Sequence, residues 1–249
     1  MKISAIIPTF NEEDHIIDAI ESLAWADEII VVDSFSTDNT VALAKSKGVK
    51  ILQRNYEYSA SQKNWAIPQA SYDWVFILDA DERVKDNLKK EISKIKNSQP
   101  KNDAYWVPRQ NHFMGRKISF SGWQGDKVIR LFNRKKCHYE DKKVHAEIIC
   151  SGSVGKLKSP LMHYTFKSVA HYMEKWDRYS TWSAQDHLGT SSPNLFHFVV
   201  KPAFRFFRDF ILRGGILDGK VGYIVCKLSS MGVFTVSYTH LRAHETVRN

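Results

Sequence analysis

At 249 residues, with 43% hydrophobic and 25% charged residues, the chain has the composition of one large globular domain, or of one domain plus an appendage. That composition excludes a disordered chain and an integral membrane protein. The 36 basic residues against 27 acidic ones leave a formal charge of +9, which favours anionic partners such as nucleic acid, acidic lipid surfaces or phosphorylated substrates.

The three cysteines (Cys137, Cys150 and Cys226) are odd in number, widely spaced and without a C-x-x-C pair. This argues against a disulfide framework or a zinc site, and for a reducing cytosol. The N-terminus turns acidic at Glu12, Glu13 and Asp14 and does not read as a signal peptide. No unbroken apolar stretch reaches the length of a membrane-spanning helix.

Strand and helix patterns alternate over the first third. Residues 3–7 form an apolar run closed by Pro8. Asn11 then offers an N-cap, followed by acids suited to a helix N-terminus, and Ile16, Ile17, Ile20 and Leu23 recur at helical spacing. Residues 28–33 read as a second buried strand ending in an acid. A second helix starts at Ser36-Thr37-Asp38 and stops at Gly48. A strand over 49–52, a helix over 62–70 and a strand over 74–79 follow. The alternation predicts βαβ units and a mostly parallel sheet.

After Pro100 the pattern changes to strands of mixed character at 104–109, 117–121, 127–133 and 144–149. They are expected to extend the sheet and supply acceptor-binding loops. A helix is predicted over 168–188, with Tyr172, Trp176 and Tyr179 on one face. In 196–236, aromatic and apolar residues interleave with Lys201, Arg205, Arg208 and Arg213. Such a segment reads equally as a helix lying in a membrane interface or as a core helix with a wet face. Residues 237–249 (SYTHLRAHETVRN) are polar, lack an apolar face, and read as an appended, non-native tail.

The chemistry concentrates at Trp74-Val75-Phe76-Ile77-Leu78-Asp79-Ala80-Asp81-Glu82. A buried-type strand ends in Asp-x-Asp, at the sheet edge where open α/β folds bind ligands. Clustered carboxylates repel unless a cation joins them, and hard divalent ions prefer oxygen ligands.

Taken with Ile6-Ile7-Pro8-Thr9-Phe10-Asn11-Glu12-Glu13, Asp33 and Gln62-Lys63-Asn64, this order and spacing closely resembles the inverting family 2 glycosyltransferases of the GT-A fold. More narrowly, the chain resembles their lipopolysaccharide-core β-glucosyltransferase branch. The supporting stretches are Val32 to Thr40, Gly122-Trp123-Gln124-Gly125-Asp126, Arg130-Leu131-Phe132, Val144-His145, Pro160-Leu161-Met162-His163 and Leu212-Arg213-Gly214-Gly215-Ile216-Leu217-Asp218-Gly219.

The resemblance implies an α/β GT-A catalytic domain over 1–165, with a nucleotide-sugar half at 1–100 and an acceptor half at 101–165. A helical, membrane-associating region at 166–236 would follow. It implies that Pro8, Thr9 and Glu12 face the nucleotide, with Glu12 on ribose hydroxyls. Asp33 would accept the uracil imide N–H, and Gln62, Lys63 and Asn64 would line the nucleotide or diphosphate. Asp81 would ligate Mg²⁺ or Mn²⁺, Asp79 would support the ribose or a metal-bound water, and His163 would be a further ligand.

An inverting displacement needs a base opposite the leaving diphosphate. Where the branch has Val-His-Glu, this chain reads Val144-His145-Ala146-Glu147. An inserted residue turns a strand side chain to the other face unless a bulge absorbs it. Glu147 is the preferred base and Asp126 the runner-up, with Trp123, Arg109 and Arg130 as acceptor-binding candidates.

The implied reaction moves glucose from UDP-glucose to an inner-core heptose, with the enzyme cytoplasmic and peripheral at the inner face of a bacterial inner membrane. Alternatives are a capsular or exopolysaccharide lipid carrier or a protein as acceptor, or an inactive membrane-surface scaffold. A nucleotidyltransferase would carry a glycine-rich phosphate loop, which Pro8-Thr9-Phe10-Asn11 is not. Nucleic-acid binding is disfavoured because the basic residues are dispersed.

Overall fold

A computed structural model describes residues 1–143, 146–166, 168–170, 172–173, 176 and 194–248, with 243–248 described by backbone alone. The chain divides into two compact units, Met1–Gln110 with Gly125–His163, and Asn111–Gln124 with Tyr164–Asn249.

The first unit begins with β1 (Ile3–Thr9), α1 (Ile16–Ser22), β2 (Glu28–Asp33), α2 (Thr40–Ser46), β3 (Lys50–Gln53), α3 (Ser59–Ala66) and β4 (Trp74–Ile77). Continuing along the chain come β5 (Glu82–Arg83), α4 (Asp86–Lys96), β6 (Ala104–Phe113), β7 (Arg116–Lys117, in the second unit), β8 (Lys127–Asn133), β9 (Cys137–Tyr139), β10 (Ile148–Cys150), β11 (Val154–Lys156) and β12 (Leu161–Phe166).

The sheet order is β3-β2-β1-β4-β8-β6-β12-β5. The left half is parallel, as the alternation predicts: β1 lies between β2 and β4, and β3 flanks β2. β8 then adds antiparallel to β4 and to β6, and β12 pairs antiparallel with β5. The result is a mixed sheet flanked by helices.

Alternation along the strands explains why both faces are covered. Ile3, Ala5 and Ile7 of β1 join Ile16, Ile20, Leu88 and Ile92 of α1 and α4 in one core. Ile6 joins Ile30, Val32, Ala60 and Ala66 in the core on the other face. Each fully buried isoleucine contributes about 1.5–3 kcal/mol.

β9 and β10 form a separate two-stranded antiparallel ribbon. Cys137 and Cys150 face each other across it and are disulfide-bonded, 4.1 Å apart at Cα. The cysteine spacing had argued against a disulfide. Their separation of 13 residues carries no mark of the ribbon that brings them together.

The second unit packs Phe113, Ile118, Tyr172, Val225 and Leu228 together. The Tyr172 and Trp176 rings stack at 5.9 Å. Tyr179 and most of the predicted 168–188 helix lie outside the described residues. The basic aromatic segment is helical: a π-helical turn (Phe196–Val200), α5 (Lys201–Phe207), a second π-helical turn (Arg208–Leu212), a 3₁₀ turn (Gly215–Asp218) and α6 (Gly219–Arg248).

α6 runs through most of the stretch that reads as an appended tail, and Ser237 and His240 within it are buried. Over Gly215–Arg242 the helix is long and apolar enough to cross a membrane by length and composition, with 39% of its apolar window buried in the protein. Lys227, Ser229, Ser230 and Gly232 interrupt the run, so it is not an unbroken apolar stretch.

Candidate active site

Because β1, β2 and β4 are parallel, their carboxyl ends share one edge of the sheet, where Thr9, Asp33 and Leu78-Asp79 emerge. The turns after β1 and β2 use left-handed residues, Asn11 (φ 54°) and Phe35 (φ 60°). They are tied together where the Asn11 N–H donates to Ser36 Oγ and the Thr37 N–H donates to Asn11 Oδ1. Glu12 follows, half-buried, its N–H donating to Thr40 Oγ1.

Asp33 is wholly buried, and its carboxylate accepts the Ser36 N–H and hydroxyl and the Gln53 amide. It closes a turn in this state. Thr9 Oγ1 and Gln62 Oε1 are buried at the same edge with no hydrogen-bond partner among the described residues. Pro8 pairs with Val32 one residue before Thr9. Asn64 is turned away and braces the chain elsewhere, its amide making two bonds to the Tyr139 backbone at 2.9 and 3.0 Å.

Asp79 lies between two cations, with Lys63 Nζ 2.9 Å from Oδ1 and Arg130 Nη2 2.5 Å from Oδ2. Arg130, only 3% exposed, also meets Glu82 at 2.7 Å, and Glu82 has Arg109 at 3.7 Å. Burial works to raise the Asp79 pKa, but the positive charges of Arg130 and Lys63 outweigh it and hold the carboxyl well below its ordinary range. Burial likewise works to lower the pKa of Lys63, and Asp79 reverses this and raises it.

A cavity of about 210 Å³ opens over this network. Lys63, Asp79, Arg109, Lys127, Arg130, Tyr139 and Glu147 line it. Four cationic side chains against two carboxylates make it electropositive, which suits a diphosphate.

The two base candidates differ in kind. Both oxygens of Asp126 are taken by Arg109 in a bidentate pair, at 2.9 and 3.0 Å. The side chain of Glu147 is exposed, lines the cavity, and makes no ion pair among the described residues. Ala146 also lines the cavity, in irregular backbone just before β10 begins at Ile148. Val144 and His145 lie outside the described residues.

Asp81 sits two residues beyond Asp79, just before β5. The pairing of β5 with β12 sets His163 opposite Glu82 and brings His163 Nε2 to 3.7 Å from Asp81 Oδ2. Trp123 packs its ring on Phe113, 6.3 Å between centroids.

Residues 4–155 match the family model for glycosyl transferase family 2. The chain belongs to glycosyltransferase family 2. Among relatives of this glycosyltransferase, the lipopolysaccharide core biosynthesis glycosyltransferase LpsC of Rhizobium meliloti is 27% identical, over 98% of this chain and 93% of that protein. The uncharacterized glycosyltransferase RT0209 of Rickettsia typhi is 30% identical, over 90% and 81%. Residues 1–349 of Staphylococcus aureus TarS, solved with UDP-GlcNAc, superpose with a TM-score of 0.51 at 15% identity, over 99% of this chain and 92% of that one. The fold is GT-A, and the family 2 glycosyltransferase is a transferase by class.

Two potential metal ligands, Asp81 and His163, lie together at this edge. Asp79 is engaged by Lys63 and Arg130, and the described residues contain no group of three or more metal-ligating side chains. That leaves Asp81 with His163, the kind of sparse protein set that hard cations supplement with phosphate oxygens and water.

Sequence reasoning gave no role to Glu82, which closes the Trp74–Glu82 stretch, nor to Tyr139 or Lys127. Glu82 follows the Asp-Ala-Asp triplet as one more acid. Nothing in its neighbours announces that it is wholly buried on Arg130.

Proposed function

We propose that this family 2 glycosyltransferase transfers glucose from UDP-glucose, with inversion, to a heptose hydroxyl of a lipopolysaccharide inner core. The observation that carries the reading is the electropositive cavity, which gathers Lys63, Arg130 and Asp79 together with Glu147, a carboxylate without an ion pair among the described residues. Lys63 and Arg130 hold the diphosphate end of the donor. Thr9 and Gln62, with their unmatched buried oxygens, meet the nucleoside.

Glu147 accepts the proton of the acceptor hydroxyl as its oxygen bonds to the anomeric carbon; the bond from that carbon to the diphosphate breaks, and UDP leaves. Asp81 and His163 would hold Mg²⁺ or Mn²⁺, which would supply charge neutralisation of the departing diphosphate. Positive charge placed where negative charge builds up lowers the barrier itself rather than merely tightening binding. Purified protein with UDP-glucose should release UDP in a Mn²⁺-dependent manner, and Asp81→Ala should abolish both the release and Mn²⁺-dependent UDP binding by calorimetry. Release that needs no metal, or that survives in the variant, would remove Asp81 from the site.

The second unit carries a face suited to a lipid surface. Phe196, Val199, Val200, Phe204, Phe207 and Ile211 recur every three or four residues along the helical segment, and all are exposed. Beside them Arg205, Arg208 and Arg213 converge on the single buried carboxylate of Asp209, three positive charges against one negative among the described residues. An apolar stripe flanked by cations fits an anionic bilayer surface. Wild-type protein should float with phosphatidylglycerol vesicles and not with phosphatidylcholine vesicles, and Phe204→Ser/Phe207→Ser should stay at the bottom of the gradient. Unchanged flotation of the double variant would refute this docking face.

A further inference from the structure

The ribbon of β9 and β10 belongs wholly to the first unit, and it carries part of the cavity wall. Tyr139 closes β9, Ala146 and Glu147 lead into Ile148 at the start of β10, and all four line the cavity. The two strands hold each other at both ends. At one end Cys137 and Cys150 are opposite in register, and their sulfurs are bonded. At the other the Glu140 N–H donates to the Glu147 carbonyl at 2.9 Å, and the Glu147 N–H donates to a Glu140 carboxylate oxygen at 3.2 Å.

The anchoring of the two strands is unequal. β9 is fixed to α3 by the two bonds between the Asn64 amide and the Tyr139 backbone, and Tyr139 is buried. Among the described residues β10 pairs with β9 alone. Ile149 is exposed, and Cys150 is more open to solvent than the buried Cys137. A two-stranded ribbon is marginal by itself, so a covalent bridge across it matters to the register of β10 and to the placing of Glu147 just before it.

The catalytic reading gives this bridge no role. We propose that the Cys137–Cys150 pair is a redox site that governs transfer. Closed, the bridge holds Glu147 at the cavity; opened by a dithiol, it lets β10 shift and takes the base out of position. A thiolate of the dithiol attacks the Cys150 sulfur, the S–S bond breaks, and Cys137 leaves as a thiolate. The second thiolate of the reductant then displaces Cys150, and the reductant departs as a cyclic disulfide. Two electrons have passed to the pair, and each cysteine takes up one of the two protons that the dithiol gives up. Glutathione disulfide runs the exchange backwards and leaves as two molecules of glutathione.

This rests on the transferase reading, and the two can fail separately. Protein equilibrated with glutathione disulfide and then denatured should titrate with one thiol per chain, that of Cys226, and with three after dithiothreitol. With lipopolysaccharide truncated at its inner-core heptose as acceptor, transfer from UDP-glucose should fall about 10²-fold on reduction, the cost of a catalytic group misplaced by about an ångström. It should recover with glutathione disulfide. UDP affinity by calorimetry should not change, because Lys63, Arg130, Thr9 and Gln62 lie outside the ribbon. The Glu147 amide proton should exchange faster in the reduced protein. Cys137→Ser/Cys150→Ser should match reduced wild type and respond to neither reagent.

Three thiols after glutathione disulfide, or equal transfer by the two forms, would overturn the proposal. Loss of UDP binding in step with transfer would overturn it too, by making the bridge merely structural. Unchanged exchange at Glu147 would show that the bridge locks nothing. No transfer by either form, beside faster exchange on reduction, would sink the transferase reading while the lock stands.

Discussion

Glu147→Gln is expected to lower the rate of sugar transfer by about 10²–10⁴-fold, the usual contribution of a positioned general base, while UDP binding stays intact. Glutamine keeps the shape and the hydrogen-bonding reach but cannot take the acceptor's proton. Donor affinity should survive because Lys63 and Arg130, the groups proposed to meet the diphosphate, are bonded to Asp79 and not to Glu147. Asp126→Asn makes the informative contrast. Its carboxylate is already bound through both oxygens by Arg109, so the variant should weaken the acceptor site through Arg109 without the collapse in turnover. Single-turnover transfer, beside calorimetric UDP binding, measures both. A Glu147→Gln enzyme of wild-type rate would move the base elsewhere, and near-complete loss in Asp126→Asn would name its successor.

Arg130→Met should destabilise the protein by about 3–5 kcal/mol, because the deletion leaves Asp79 and Glu82 facing each other without their shared cation. For a chain of this size that is a fall in Tm on the order of 10 °C. The pH dependence follows from the depressed pKa of Asp79. A carboxyl whose folded pKa lies below its unfolded value, about 3.9, stabilises the fold above that pH and loses the contribution as pH falls through the folded value. Wild type and Arg130→Met should therefore differ most near neutrality and converge in acid.

Lys63, raised above its ordinary pKa, works in the opposite sense: its contribution is full below about pH 10.4 and is lost as pH climbs through the folded value. Thermal melts from pH 3 to pH 8 test the acid limb. A constant difference between the two proteins across that range, or no difference at all, would show that the ion network does not stabilise the fold.

The first half of the sheet was legible because short parallel strands covered on both faces must be nearly continuous apolar runs, and those runs end in the residues the site uses. β2 begins and ends where the pattern placed it, at Glu28 and Asp33, and β8 likewise at Lys127 and Asn133. Less regular elements were missed. α4 went unmarked although Leu88 and Ile92 recur at helical spacing, and the two-residue β5 is too short to carry any period. β9 and β12 depend for their existence on partners distant in sequence.

The sequence by itself determined the family, the parallel strands and the identity of the acids at their ends, since these follow from local periodicity and from motifs a few residues long. Only the tertiary structure decided what each acid is bound to. It placed Asp79 between Lys63 and Arg130, tied Asp126 to Arg109, set His163 beside Asp81 and left Glu147 open to the cavity. Those outcomes are set by pairings such as β5 with β12 and β4 with β8, which join residues far apart in the chain. A carboxylate's chemistry depends on the charges within a few ångströms of it, and those neighbours are chosen by folding rather than by sequence order.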